Sequence, residues 1–350
     1  MKVRSTLLVG VAAGLLAPTG AVAQEPAPAE GAAAAAELAA GGGANGGNGG
    51  AGGGPQSPGP APAKIKLELK GVNNGKVDVG DRVEAIGKVA PFVGGQRVEI
   101  KLANKGDTVI KKTPFVRQVK GKNFGRFKLR SKPLIEAGKY RVRVRKAPTG
   151  AQAGGSAKSN GFKLTYPDLD PGDSGPAVAA FNDLLRDRGY FNTDKSNYSS
   201  HTERAVMTFR KVNGMARNFQ ATPGIFQTLA AGNGGFQAQY PNAGKHAEVD
   251  ISKQVMALVD DGEVKYTFHV STGAPATPSD QGHFTFYRKD AGFNSLGMYY
   301  SVYYNRGEAT HGYHSVPTYN ASHGCIRNPI PDSVFIYNWI DLGDAMYVYG

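Results

Sequence analysis

The sequence predicts a multidomain, mainly β protein: an antiparallel β-sandwich, a small three-helix bundle and a β-rich C-terminal domain. Three observations carry this expectation. Residues 64–166 hold short runs in which apolar and charged side chains alternate between turn residues. Residues 167–235 change to apolar side chains at helical spacing, and residues 240–350 return to strand-like runs. The chain has 350 residues, more than one ordinary domain needs.

Residues 1–23 read as a secretory signal. Lys2 and Arg4 precede a short apolar run from Leu7 to Leu16, and Ala21-Val22-Ala23 supplies small residues for cleavage. The run is too short to span a bilayer, and no later stretch is long and apolar enough, so the expectation is an exported protein with no span after cleavage. An uncleaved anchor is the alternative. Residues 24–63 are rich in Ala, Gly and Pro and predict a disordered tether.

In residues 64–166, Ile65, Leu67 and Leu69 alternate with Lys66, Glu68 and Lys70, and Tyr140, Val142 and Val144 alternate with Arg141, Arg143 and Arg145. Similar runs lie around Val98–Leu102 and Arg126–Arg130. Turn pairs such as Asn74-Gly75 and Gly94-Gly95 separate them. This segment carries 25 Lys/Arg against 7 Asp/Glu, whereas the whole chain has a net charge of +13. A single-sign face implies an anionic partner: a wall polymer, lipid head groups or nucleic acid. Export argues against nucleic acid. A solvated sheet face is the plain alternative. The Gly138–Val144 stretch resembles a late strand of an immunoglobulin-like domain.

Residues 167–235 predict three helices. Asp173 or Ser174 is the expected cap of the first, with Pro176 in its first turn and Gly189 at its end. Ser200-His201-Thr202-Glu203 has the spacing of a capping box for the second. Thr222-Pro223 opens the third. The sequence of Gly172-Asp173-Ser174-Gly175, Leu184-Leu185, Gly189-Tyr190-Phe191 and Thr202-Glu203-Arg204-Ala205-Val206 resembles the peptidoglycan-binding domain found beside many wall enzymes. A structural spacer is the other reading.

Residues 240–350 contain the single cysteine of the chain, Cys325. It has no internal disulfide partner, so it is either a buried filler or a reactive thiol. Its neighbours Ser322, His323, Gly324 and Arg327 suit a core strand poorly. A nucleophilic thiol needs a base or a cationic neighbour, and His311, His314 and His323 lie within 14 positions upstream. Gly324 clears space beside the thiol, and the amides of Gly324 and Cys325 are candidates for an oxyanion hole. Arg327 suits a substrate carboxylate. His311, His314 and Cys325 are also metal-ligating types, but Gly312 and Pro317 argue for a loop there, unlike the helical His-x-x-His of zinc sites. No metal or cofactor is expected. His246, His269 and His283 read as ordinary strand or surface residues.

The block from His311-Gly312 to Ser322-His323-Gly324-Cys325-Ile326-Arg327 resembles the L,D-transpeptidase (YkuD-like) catalytic domain. Ser271-Thr272-Gly273, Thr277-Pro278 and Gly282-His283-Phe284 resemble that family's upstream stretch. The resemblance implies a cysteine acyltransferase acting on peptidoglycan stem peptides. It implies Cys325 as nucleophile and His311 as general base, with Gly312 helping to hold the base. His323, Gly324 and Ser322 would shape the site. Two departures stand out. Only ten residues separate His311 from Ser322, which keeps His314 and His323 as alternative bases, and extra residues precede Gly282.

Overall fold

The computed structural model describes residues 59–350; the expected signal and most of the expected tether lie outside the described residues. The described chain is mainly β, with four helices and several sheets. None of these helices is long and apolar enough to cross a membrane.

Ten strands come first: β1 (Lys64–Lys70), β2 (Lys76–Asp78), β3 (Glu84–Ala90), β4 (Glu99–Asn104), β5 (Asp107–Lys112), β6 (Arg117–Gln118), β7 (Gly125–Arg130), β8 (Gly138–Lys146), β9 (Gly155–Lys158) and β10 (Phe162–Thr165). They form one sheet in the order β1-β3-β7-β6 and a second in the order β2-β10-β8-β4-β5, with β9 also on β8. The alternation read from sequence sets the faces. In β8, Tyr140, Val142 and Val144 are buried while Arg141, Arg143 and Arg145 are exposed. Val89, Ile100, Leu102 and Phe127 from both sheets join the same core.

That core does not stop at residue 166. It continues into α1 (Pro176–Asp187), α2 (Ser200–Val212) and α3 (Pro223–Ala230) through Phe181, Leu185, Phe209 and Phe226. Tyr166 stacks on Phe226 with ring centroids 4.7 Å apart. Gly80 lies against the Pro176 carbonyl, where an added Cβ would sit 2.1 Å from the oxygen.

The helix starts differ from the sequence expectation. Gly175, not Asp173 or Ser174, is the N-cap of α1, at φ 114°, and Pro176 is its first residue. The capping box at Ser200–Glu203 does not form. Ser199 is the N-cap of α2 and makes no side-chain cap bond. Asp194, eight residues before Thr202, takes the Ser199 and Thr202 amides instead, each at 3.1 Å. A carboxylate reaching in from the preceding loop thus satisfies two N–H groups at the helix start.

The C-terminal region comprises β11 (His246–Asp250), β12 (Val255–Asp260), β13 (Glu263–His269), β14 (Gly282–Thr285), β15 (Arg288–Phe293), β16 (Tyr299–Asn305), β17 (Glu308–Tyr313), β18 (Ile326–Pro329), α4 (Ile330–Trp339) and β19 (Ala345–Tyr349). One sheet runs β13-β12-β11-β19-β14 and the other β15-β16-β17-β18. Asp261 and Gly262, at φ 52° and 73°, make the tight turn between β12 and β13. Met256, Leu258, Phe268, Val302, Ile326 and Ile336 fill the core between them. Phe191, from the loop after α1, packs on Phe268 and Phe335 at centroid distances of 4.9 and 4.5 Å.

Candidate functional site

The site is built on two adjacent parallel strands. β17 pairs with β18 in the register Thr310↔Ile326 and His311↔Arg327. Cys325 immediately precedes β18 and packs on Met298, Tyr303 and Ala309. Residues two apart on a strand share a face, so Ala309 and His311 on β17 lie beside Cys325 and Arg327. His311 is therefore in a strand, not in the loop that Gly312 and Pro317 suggested.

His311 is 3% exposed. Its Nδ1 lies 2.9 Å from the Gly312 carbonyl oxygen. A carbonyl only accepts, so Nδ1 carries the proton and Nε2 presents its lone pair. Burial pushes the ring down to about 4, and the charge of Arg327 acts in the same direction. The imidazole is therefore a neutral base at physiological pH. Gly312 has a packing role as well. A Cβ there would meet Ser333 Oγ of α4 at 2.1 Å.

Cys325 is half-buried. Burial raises its thiol above the ordinary range, and the nearby Glu308 carboxylate adds to this, while the Ala309 amide and Arg327 oppose it. Sγ approaches the Gly307 carbonyl at 3.8 Å. With a raised thiol and a depressed imidazole, both groups are held toward their neutral forms.

The turn carrying the thiol is held from outside. The Ala321 and Ser322 amides donate to Thr272 O at 2.9 and 3.0 Å. The Ala274 amide and Thr277 Oγ1 donate to Ser322 O at 2.8 and 3.0 Å. Ser279 Oγ donates to the Gly324 carbonyl at 2.6 Å and accepts the Gly273 amide at 2.9 Å. The extra residues before Gly282 thus include Ser279, which grips the turn. Ser322 Oγ donates to the Cys325 carbonyl and accepts the Gly324 amide at 3.2 Å. The Gly324 N–H, expected as an oxyanion donor, is engaged by Ser322 in this arrangement. Gly324 itself sits at φ 113°, and a Cβ would lie 2.8 Å from Glu308 Oε1.

The remaining expected residues divide. The Arg327 guanidinium lies 4.2 Å over the Tyr313 ring and makes no ion pair among the described residues. His323 is exposed beside the thiol. His314 is exposed, packs at a tilt on Tyr313 with ring centroids 4.3 Å apart, and lines a cleft of about 560 Å³ shared with α2 that does not include Cys325. Among the described residues no group of three or more His, Cys, Asp or Glu side chains can hold a metal ion.

The sequence did not single out Glu308, Ser279 or His269. Glu308 accepts the Asp280 amide at 3.1 Å, and burial raises its carboxyl. His246 and His269, read as ordinary, are buried: His246 Nε2 lies 3.0 Å from Glu248 Oε1, and His269 Nδ1 lies 2.6 Å from Lys211 Nζ. His283 is exposed and stacks on Tyr347.

Residues 244–348 match the family model YkuD, the L,D-transpeptidase catalytic domain. Among solved structures, the chain is similar to the L,D-transpeptidase (residues 123–326) from Xylanimonas cellulosilytica DSM 15894, with 30% identity over 53% of this chain and 98% of that one and a TM-score of 0.49. An L,D-transpeptidase from Stackebrandtia nassauensis shows 22% identity over 53% of this chain and 96% of that one, TM-score 0.33. One from Mycobacterium smegmatis shows 13% identity over 83% of this chain and 100% of that one, TM-score 0.28. No curated protein matches the chain. By the family match, the chain belongs, through residues 244–348, to the YkuD family of L,D-transpeptidase catalytic domains.

Proposed function

We propose that the protein is an exported L,D-transpeptidase that remodels peptidoglycan stem peptides through an acyl-thioester on Cys325. What supports this reading is the pairing of β17 with β18, with buried His311 on one strand and half-buried Cys325 at the start of the other. His311 Nε2 takes the thiol proton as Sγ attacks the carbonyl before the terminal D-alanine of the donor stem. A tetrahedral oxyanion forms, stabilised by the Cys325 amide and by the Gly324 amide once Ser322 Oγ yields it. Collapse expels D-alanine, whose leaving amine takes the proton back from His311. The amine of a neighbouring stem then resolves the thioester and gives the cross-link. Arg327, free of carboxylate partners, suits a substrate carboxylate, with exposed His314 and His323 at the rim.

The surrounding segments fit a wall enzyme. The two N-terminal sheets read as an immunoglobulin-like sandwich (64–166) and the helical segment (167–235) as a peptidoglycan-binding-like domain, followed by the catalytic domain (240–350). The sandwich carries a row of cations across four strands: Lys111 opposite Lys101, Lys101 opposite Arg143, and Arg143 opposite Lys158. Like charges facing one another across strands destabilise a sheet. Glu99 pairs with Lys101 and Lys111. Arg141, Arg143, Arg145 and Lys158 line a groove of about 730 Å³ without ion pairs among the described residues. An anionic wall polymer is the partner proposed for it.

The same thioester resolved by water gives a carboxypeptidase, and resolved by a protein amine gives attachment to the wall. Mass spectrometry of products from a disaccharide tetrapeptide separates these outcomes. A cross-linked dimer that disappears with Cys325→Ala is the expected result. D-alanine release unchanged in that variant would remove Cys325 from the mechanism, and absence of any product would favour a wall-binding scaffold.

A further inference from the structure

Lys211, in the last turn of α2, is 2% exposed. A buried lysine without partners is strongly disfavoured, so its surroundings decide whether it is tolerated. Its Nζ lies 3.0 Å from Gln254 O, 2.9 Å from Val270 O and 2.6 Å from His269 Nδ1, all in the C-terminal domain. Three acceptors surround the amino group, which donates three N–H bonds when charged and two when neutral. Burial, with the charge of Arg217 added, lowers Lys211 to about 6, and burial pushes the His269 ring down to about 3, so the ring is neutral and its Nδ1 accepts from the Lys211 amino group in either of that group's charge states. The ring proton then sits on Nε2, which donates to the Val316 carbonyl at 3.0 Å.

Val316 lies in the 314–320 connection that leads from His311-Gly312 to the Ser322–Cys325 turn. This connection makes no backbone-to-backbone hydrogen bond among the described residues. It is held by side chains instead. His269 takes Val316 O, Arg217 after α2 donates to Thr318 O, and Ser271 Oγ donates to Tyr319 O at 2.6 Å. Two of these three grips depend on the helical segment. Resting on the reading of Cys325 as nucleophile, we propose that Lys211 and Arg217 are positioning residues for the reaction, fixing the connection between His311 and Cys325 through His269 and the Thr318 carbonyl. The helical segment is then part of the catalytic assembly and not only a wall-binding attachment.

The test uses the full-length chain with the disaccharide tetrapeptide, at a temperature where circular dichroism shows each variant folded. Lys211→Met keeps the aliphatic stem and removes the donors to Gln254 O, Val270 O and His269 Nδ1. It should lower kcat about tenfold to hundredfold, the scale of a misplaced reacting group, with KM changed less than about twofold. Hydrogen exchange of the peptide spanning 314–321 should rise. Arg217→Gln, at an exposed position, should move both readouts in the same direction by about threefold, the scale of one lost hydrogen bond. Phe191→Leu loosens the same junction without reaching the connection, and should lower Tm while leaving kcat unchanged.

Wild-type kcat and exchange in both Lys211→Met and Arg217→Gln would overturn the proposal. So would a kcat loss that tracks Tm equally in Phe191→Leu, which marks a merely structural role. If Lys211→Met does not fold, Arg217→Gln decides alone. A wild-type protein without turnover would sink the Cys325 reading instead, and loop exchange in the variants would still decide whether the clamp holds.

Discussion

Arg204 of α2 and Asp332 of α4 form a two-pronged ion pair: Nε to Oδ2 and Nη2 to Oδ1, both 2.9 Å, between residues 128 positions apart. The Asp332 side chain is 4% exposed, and burial raises its carboxyl despite the guanidinium. Arg204→Met should therefore leave a buried carboxylate unpaired and destabilise the protein by about 3 kcal/mol. Arg204→Met combined with Asp332→Leu should recover much of that loss. Urea denaturation of the single and double variants checks both. Equal midpoints for wild type and Arg204→Met would show that the pair is neutral.

The depressed His311 predicts the acid side of the activity profile. The base is active when neutral, so kcat/KM should rise with pH through an apparent pKa below the ordinary imidazole value, belonging to the His311–Cys325 pair together. His311→Ala should cost about 10²–10⁴-fold in rate, the range for loss of a general base. His314→Ala should cost little, because His314 faces the α2 cleft. A crippled His314→Ala with a mild His311→Ala would reverse the assignment.

Stability should follow pH for a related reason. His269 and His311 have folded pKa values near 3 and 4, below the ordinary imidazole value of about 6.5. Between those limits the unfolded chain binds protons that the folded chain refuses, so stability falls as pH drops from about 6.5 toward 4. Thermal unfolding at pH 7 and pH 5 measures it, and His269→Gln should flatten the dependence. An unchanged slope in that variant would exclude His269 as a source.

Gly324→Ala should abolish most turnover. The residue sits at φ 113°, where L side chains are strained, and its Cβ would press on Glu308. The added strain falls on the turn that carries the thiol. Adding Glu308→Ala should relieve the contact but not the backbone strain, so recovery should be partial. Full activity in Gly324→Ala would mean the turn adjusts freely.

The basic groove predicts salt-dependent wall binding. Exposed charges are screened over about 8 Å at about 0.15 M salt. Replacing Arg141, Arg143 and Arg145 with Ser should weaken pull-down on purified wall at low salt and leave turnover on soluble substrate intact. Undiminished binding by the triple variant would leave the groove a solvated face.

The strand faces of β8 were legible because Tyr140, Val142 and Val144 alternate with arginines, a strictly local pattern. Cys325 was legible because Ser, His, Gly and Arg are poor core neighbours. The pairing of His311 with Arg327 was not, since parallel register joins segments through a loop that leaves no local trace. Lys211 reads in sequence as an ordinary cation near a helix C-terminus, and only the fold turns it inward. Asp194 as the cap of α2 escaped notice for a similar reason: a box within Ser200–Glu203 looked sufficient, yet a carboxylate several residues earlier reached the amides. The short spacing before Ser322 kept His314 beside His311 as a candidate base in sequence; the structure buries His311 and exposes His314.

The apolar core shared by the N-terminal sheets and the helices has a practical corollary. The composition shift near residue 166 looks like a seam, and a shortened chain beginning at residue 167 would be an obvious tool for enzymology. Cutting there would strip Tyr166 from the Phe226 ring and open one side of the core that the helices share with the sheets. Such a fragment should be sticky and self-associating. A fragment kept soluble needs either residues 64–350 together or a polar side chain where Tyr166 meets Phe226.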